Sequence, residues 1–275
     1  MLPPIADNFV AGEEPATALD HVRGLNDDGV AGILNLLGEH YDDRVDADAD
    51  TQAYVDLVRD LEATGLDCCV SVKPSQIGLD LGADVFRENL SRIVDASDTF
   101  VWIDMEDHET VDVTLDAYEE HARATGGNVG LCVQANLRRT ADNLERLADL
   151  PGKVRLVKGA YDPPKEIAYT DKSRVDEAYR ECLAFMFREF DGGIGVGSHD
   201  PAMIDYAADL HEEYGTDYEV QMLMGVREEA QVDLAASGVP VYQYAPYGDK
   251  WLSYFYRRVR ERKENALFAL RAVLS

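Results

Sequence analysis

The chain between residues 30 and 72, VAGILNLLGEHYDDRVDADADTQAYVDLVRDLEATGLDCCVSV, decides the fold class. It opens and closes with short apolar runs, at 30–37 and 67–72, which predict buried strands. Between them, apolar residues recur at helical spacing: Tyr54, Leu57, Val58 and Leu61. Gly65 then ends the helix. Because a helix connects them, the two strands are expected to be parallel.

The same unit recurs along the whole chain. Six further apolar runs follow, separated by longer charged stretches: TFVWIDM (99–105), VGLCVQA (129–135), VRLVKG (154–159), GIGVGS (193–198), YEVQML (218–223) and PVYQY (240–244). Near-continuous apolar character is typical of strands that are buried on both faces. Eight such units predict an α/β fold of the closed (β/α)8, TIM-barrel type.

No linker rich in Pro, Gly or Ser divides the chain, so residues 1–275 are predicted to form a single domain. A two-domain dinucleotide-binding arrangement is the alternative. Against it, no G-x-G-x-x-G follows the first strand. The glycines of GIGVGS continue into His199, Asp200 and Pro201 rather than into a helix N-terminus.

The chain is strongly acidic, with 53 acidic and 26 basic side chains and a formal net charge of −27. This charge argues against nucleic acid and anionic lipid as electrostatically attracted partners. The segment DDRVDADAD (42–50) is typical of a halophilic protein in a salty cytoplasm. The N-terminus has neither a basic nor an apolar signal region, so a cytoplasmic location is expected.

The four cysteines, Cys68, Cys69, Cys132 and Cys182, show no C-x-x-C spacing, and the first three lie in apolar runs. They are expected to be buried free thiols. No metal site is expected.

Polar side chains stand at or near the end of every predicted strand: Glu39, Lys73, Asp104, Gln134, Arg155, Lys158, His199, Gln221 and Tyr244. In a barrel of parallel strands these ends meet at one mouth, where active sites are built. Each residue alone could cap a helix or face solvent. Together they predict a polar site, and Arg155 and Lys158, within an apolar run, each require a nearby anion.

The segment PYGDKWLSYFYRRVRER (246–262) concentrates four arginines. Tyr254, Arg257, Arg258 and Glu261 share one helical face. A guanidinium pair on one face suits a carboxylate or phosphate. A solvated helix is the alternative, and it fits Arg260, Arg262 and Lys263 better. The sequence therefore predicts a site for a small anion with aromatic and apolar walls.

Seven motifs along the chain show a resemblance to a known family. The motifs that carry it are FVAGEE (9–14), LLGE (36–39), VKPSQIG (72–78), IDMED (103–107), VRLVKGAY (154–161), EVQMLMG (219–225) and Y-A-P-Y-G…W..Y..RR..E (244–261). The chain resembles the FAD-dependent proline dehydrogenase family across essentially its whole length. The resemblance implies a distorted (β/α)8 barrel whose eighth helix lies above the C-terminal mouth.

The resemblance also implies a substrate site for L-proline. Arg257 and Arg258 match a clamp on the substrate carboxylate, which Lys73 supports. The remaining pocket residues implied are Asp104, Tyr161, Leu223, Tyr244 and Tyr254. The ring of Tyr244 would leave no room for the hydroxyl of 4-hydroxyproline. The implied catalytic residues are Arg155, Asp104 and Lys73.

For the cofactor, the resemblance places Arg155 near flavin N5 and pairs it with Glu39 as a gate. The other implied FAD contacts are Gln134, Lys158, Gly159, His199 and Gln221. Ser198 and Asp200 depart from the threonine and asparagine that are usual in the family, which leaves the adenosine contacts unassigned.

The activity implied is transfer of a hydride from proline C5 to FAD N5, giving Δ1-pyrroline-5-carboxylate as the first step of proline catabolism. A quinone or another acceptor, including one at the membrane, would then take the electrons. Three alternatives stay open: a lyase with Lys73 or Lys158 as a Schiff-base amine, a folate-reducing flavin barrel, and a carboxylate-binding sensor.

Overall fold

A computed structural model describes residues 8–38, 40–160 and 163–252. In this part of the chain, eight parallel strands close into a barrel in sequence order. The strands are β1 Ala31–Leu36, β2 Cys68–Val72, β3 Val101–Asp104, β4 Val129–Gln134, β5 Lys153–Val157, β6 Ile194–Gly197, β7 Tyr218–Leu223 and β8 Val241–Tyr247. The helices are α1 Pro15–Asp27, α2 Arg44–Thr64, α3 Ala83–Val94, α4 Val111–Thr125, α5 Thr140–Leu147, α6 Lys172–Glu189, α7 Pro201–Tyr214 and α8 Glu228–Ala236. The predicted (β/α)8 fold is confirmed.

Closure depends on the pairing of the first strand with the last. β1 and β8 are parallel over the full length of β1, from Ala31 opposite Tyr242 to Leu36 opposite Tyr247. Pro246 lies within β8 and has no N–H to donate. Its carbonyl accepts a hydrogen bond from the Ala11 backbone at 2.8 Å. Outside the barrel, α1 packs against both β1 and β8 and so covers the seam.

Helix α2 is longer than its sequence pattern indicated. It begins at Arg44, well before the pattern that starts at Tyr54, because the Asp43 side chain accepts a hydrogen bond from the Val45 backbone at 2.9 Å and caps the first turn. Most of the acidic segment 42–50 is therefore helical. The helix ends, as predicted, at Gly65, which has the left-handed φ of 66°.

The main hydrophobic core lies between the strands and the surrounding helices, and it contains the buried apolar face of α2. A smaller group on the inward faces of the strands fills the barrel: Ile33, Cys69 and Trp102, flanked by Phe100, Tyr242 and Tyr244. Gly130 makes room for the indole, since a Cβ at that position would lie 2.4 Å from the Trp102 ring.

Two bulk properties of the chain, the state of its cysteines and the character of its helices, can be read directly from the structure. The four cysteines are free thiols, and Cys69, Cys132 and Cys182 are buried, as expected, whereas Cys68 is only partly buried. Burial raises the pKa of the Cys182 thiol to about 11, which keeps it protonated near neutral pH. Among the described helices, none combines the length and apolar character that crossing a membrane requires.

The Tyr54 hydroxyl joins α2 to the first two strands. It donates to the Ser71 carbonyl at 2.9 Å and accepts from the Leu36 backbone at 3.1 Å. The Asn35 side-chain amide donates to the same hydroxyl at 3.1 Å. Tyr54 is completely buried, so these groups cannot turn to water instead.

We therefore expect Tyr54→Phe to lower the free energy of unfolding by about 1–3 kcal/mol, because the Leu36 N–H loses a buried partner. Tyr118→Phe is the matched control, since this equally buried phenol donates only one long bond of 3.4 Å, to the Pro151 carbonyl. Chemical denaturation measures both variants. A larger loss for Tyr118→Phe than for Tyr54→Phe would contradict this account.

Candidate active site

A buried guanidinium lies at the centre of the barrel. Arg155, on β5, is only 4% exposed. Its Nη2 donates to Asp104 Oδ1 on β3 and to Ser71 Oγ on β2, the latter at 3.3 Å. Its Nη1 donates to Gln221 Oε1 on β7 at 2.7 Å. The anion that the sequence required for Arg155 is thus a carboxylate of the protein itself.

The electrostatics keep Arg155 charged. Burial by itself would lower the pKa of the guanidinium, but the Asp104 carboxylate together with Cys132 and Tyr244 outweighs it, and the net direction is upward. The guanidinium carbon also lies 4.9 Å from the Trp102 ring centre and 5.5 Å from that of Tyr244. Both distances are within cation–π range, so the rings support the same charge.

Tyr244 links this ion pair to Lys73. The Tyr244 hydroxyl donates to Asp104 Oδ2 at 2.8 Å. Lys73, directly after β2, donates from Nζ to that hydroxyl at 3.4 Å and to Asn35 Oδ1 at 2.5 Å. Burial and the neighbouring Asp104 carboxylate raise the pKa of the Tyr244 phenol well above its ordinary value, so it remains a donor.

These contacts bring five of the predicted site residues together: Lys73, Asp104, Arg155, Gln221 and Tyr244. Both oxygens of Asp104 accept hydrogen bonds, one from Arg155 and one from Tyr244. Asp104 thus holds the Arg155 guanidinium and the Tyr244 hydroxyl in place. Two cations and one carboxylate in one network suit a ligand that carries a negative charge.

Gln134 and Gly159 form the next part of the mouth. The Gln134 amide donates to the Glu106 carbonyl at 2.7 Å, and its oxygen accepts from the Ala160 backbone at 3.4 Å. Gly159 has the left-handed φ of 116°, and a Cβ there would lie 2.3 Å from the Asn136 side chain. Only glycine allows this close approach.

Asn136 was missed in the sequence. Its Oδ1 is buried, yet it accepts no hydrogen bond from any described residue. A buried acceptor without a donor is costly, so this atom is a candidate for contact with a bound molecule. Only its place two residues beyond Gln134, past the strand end, could have drawn attention to it.

Lys158 lies just beyond β5, and its anions are also internal. Nζ donates to Asp176 at 2.5 Å and to Asp200 at 2.9 Å. Burial would lower the pKa of this ammonium, but its hydrogen bonds to both carboxylates raise it, and the net direction is upward. The predicted need for an anion is confirmed, whereas a role for Lys158 in cofactor binding stays a prediction.

His199 and Leu223 lie next to each other at the ends of β6 and β7. Nε2 of His199 accepts from the Leu223 backbone at 2.8 Å, so the neutral ring carries its proton on Nδ1. Arg227 donates to the His199 carbonyl at 2.8 Å and has an unusual φ of 50° for a side chain of its size. The loop after β7 thus holds the histidine in place.

Five predicted site residues lie outside the described residues: Glu39, Tyr161, Tyr254, Arg257 and Arg258. The same is true of the helix that was expected above the barrel mouth. The substrate clamp and the Glu39 gate therefore stay predictions.

Comparison with known proteins places the chain in a family. Residues 18–271 match the family model described as proline dehydrogenase. The chain belongs to the proline dehydrogenase family, a family of oxidoreductases. It is 37% identical to the proline dehydrogenase of Deinococcus radiodurans and 32% identical to proline dehydrogenase 1 of Bacillus subtilis. Each alignment covers 98% of this chain and 90% of the relative. The predicted family membership and enzyme class are confirmed.

Solved structures support the fold. Proline utilization A from Bdellovibrio bacteriovorus, inactivated by N-propargylglycine, superposes with a TM-score of 0.84 at 23% identity. The protein of the same name from Corynebacterium freiburgense gives 0.80 at 22% identity. These superpositions cover 92% and 96% of this chain but only 32% and 31% of the much longer relatives.

We expect Asp104→Ala to lower the free energy of unfolding by about 3–5 kcal/mol, because it leaves the Arg155 charge buried without its carboxylate. Asp112→Ala is the control, since Asp112 pairs with Arg139 at the surface, with 71% of the carboxylate side chain exposed. That pair contributes at most about 1 kcal/mol. Denaturant titration of both variants checks the difference, and equal losses would mean that the interior pair is not the stronger one.

Proposed function

We propose that the protein oxidises L-proline to Δ1-pyrroline-5-carboxylate with FAD as its cofactor. The observation that carries the proposal is the Arg155–Asp104–Tyr244–Lys73 network at the barrel mouth, in a chain of the proline dehydrogenase family. Relatives at 31–37% identity over nearly the whole chain are named for this activity.

The polar groups near Gly159 suit a flavin. Asn136 Oδ1 is a buried acceptor with no donor among the described residues. Gly159 lies beside it and has no side chain to block access to its backbone. An isoalloxazine presents an N–H that such an acceptor can bind. The residues proposed to hold the cofactor are Gln134, Arg155, Lys158, Gly159, His199 and Gln221. When bound, the flavin would accept the hydride that leaves proline.

The protein's own contribution is binding and orientation. Lys73, together with Arg257 and Arg258, would hold the substrate carboxylate and so fix which ring carbon faces the cofactor. These cations also lower the pKa of the proline amine, which favours the neutral form whose lone pair assists hydride departure. No dedicated base is required for this step.

Tyr244 would shape the proline pocket with its ring rather than with its hydroxyl. The phenol proton is directed at Asp104 Oδ2, 2.8 Å away, and is not available to the substrate. The aromatic face then stands as a wall that leaves no room for a hydroxyl on the proline ring. We propose on this basis that the enzyme prefers proline to 4-hydroxyproline.

The electron acceptor and the cellular location of the enzyme are further parts of the proposal. A quinone would accept the electrons, with transient contact at the inner face of the membrane. The net charge of −27 does not favour attraction to anionic lipid, so contact would need high salt or a partner protein. We propose a cytoplasmic enzyme adapted to a salty environment.

Adding L-proline without oxygen to the purified protein is expected to bleach the flavin absorbance in the visible spectrum. The alternatives give other results. A reduced folate would bleach the flavin if the protein were a folate reductase, and proline would bind without bleaching if it were a sensor. A colourless protein trapped covalently with substrate by borohydride would indicate a Schiff-base lyase and overturn the proposal.

Arg257→Met and Arg258→Met are each expected to raise KM for proline at least about tenfold, because each removes a charge-assisted hydrogen bond to the carboxylate. Arg260→Met is the matched control, since the helical spacing predicted from the sequence puts Arg260 off the face shared by Tyr254 and the two clamp arginines. Steady-state kinetics separates KM from kcat. Near-normal KM in both clamp variants would remove the carboxylate assignment.

A further inference from the structure

An ion pair lies in the barrel interior below the candidate active site. Lys153 begins β5, and Glu219 is the second residue of β7. Lys153 Nζ donates to Glu219 Oε2 at 2.5 Å, and Glu219 is only 6% exposed. The ammonium also lies 5.2 Å from the Phe100 ring centre and 5.6 Å from that of Tyr242. Neither charged residue has a role in the function proposed above.

The pair is connected to Arg155 through one amide. Glu219 Oε1 accepts from Gln221 Nε2 at 2.7 Å, and Gln221 Oε1 accepts from Arg155 Nη1 at 2.7 Å. These residues alternate along their strands, so Lys153 and Arg155 share the inward face of β5, and Glu219 and Gln221 share that of β7.

The chemistry of the two ends determines which way the amide faces. An ionised carboxylate only accepts hydrogen bonds, and a guanidinium only donates them. Gln221 must therefore give its NH2 to Glu219 and its oxygen to Arg155. With the amide reversed, two donors would face each other at one end and two acceptors at the other.

We propose that Lys153 and Glu219 are positioning residues for Arg155. Glu219 orients the Gln221 amide so that its oxygen holds the guanidinium, and Lys153 compensates the buried charge of Glu219. The inference rests on the proposed function only in placing Arg155 beside the cofactor. Neither residue touches the reacting atoms.

The test removes the pair without changing the net charge. Lys153→Met combined with Glu219→Leu keeps the volume of both side chains and leaves the Gln221 NH2 without the acceptor that fixes it. We expect FAD to dissociate from this holoenzyme about tenfold faster, because a Gln221 side chain that is no longer fixed weakens its hydrogen bond to the charged Arg155 guanidinium. The rise of flavin fluorescence after dilution measures the rate. KM for proline should change less than about twofold, since the carboxylate contacts remain.

A rescue experiment separates orientation from simple packing. Adding Gln221→Glu to the double variant keeps an oxygen for Arg155 whichever way the side chain turns, and it changes only the atom that faced Glu219. The triple variant should recover most of the lost FAD retention. Adding Gln221→Leu instead is the control and should recover none. If the double variant fails to fold, Lys153→Gln with Glu219→Gln replaces it under the same criteria, with a smaller expected change.

The possible outcomes are distinct. Parental FAD release in the folded pair-removed variant would overturn the inference, and so would faster release that Gln221→Glu does not correct. Failure of proline to bleach the parent enzyme's flavin would instead overturn the proposed function, while the release and rescue measurements could still be made.

Discussion

The interior of this barrel is organised around one buried positive charge, that of Arg155. The guanidinium of Arg155 is almost wholly enclosed, and its energetic cost there is met by contacts from β2, β3 and β7. Those contacts exist only when the strands are closed in the right order and register. The Arg155–Asp104 ion pair therefore contributes both to the stability of the barrel and to the polarity of its mouth.

This interior contrasts with the surface. Outside, the chain carries a large acidic excess, and many of its ion pairs are exposed pairs such as that of Arg139 with Asp112. Such pairs add little to stability and are screened by salt. In the network at the mouth, the cations Lys73 and Arg155 outnumber the one carboxylate, Asp104. A small anionic substrate would therefore meet a local field opposite in sign to that of the whole protein.

The polar side chains of the barrel interior form one connected series. From the lower end it runs through Lys153, Glu219, Gln221, Arg155, Asp104, Tyr244 and Lys73. Donors and acceptors alternate along the series, so the orientation of each group depends on its neighbours. A change at the lower end can thus affect the mouth, although no atom there touches a ligand.

The sequence alone determined the strands, their number and their parallel order. Runs of apolar residues separated by helical patterns carry that information locally, and the polar residues at the strand ends marked the mouth. It also established that Arg155 and Lys158 needed anions, because a charge in an apolar run is costly wherever the run folds. It could not identify those anions. Asp104 lies 51 residues from Arg155 along the chain, and Asp200 lies 42 from Lys158. Only closure of the barrel brings such groups within hydrogen-bond distance. The Asn136 oxygen, which accepts no hydrogen bond from the part of the chain that the structure describes, and the orientation of Gln221 were decided in the same way. Each depends on which atoms from distant strands surround it after water has been excluded.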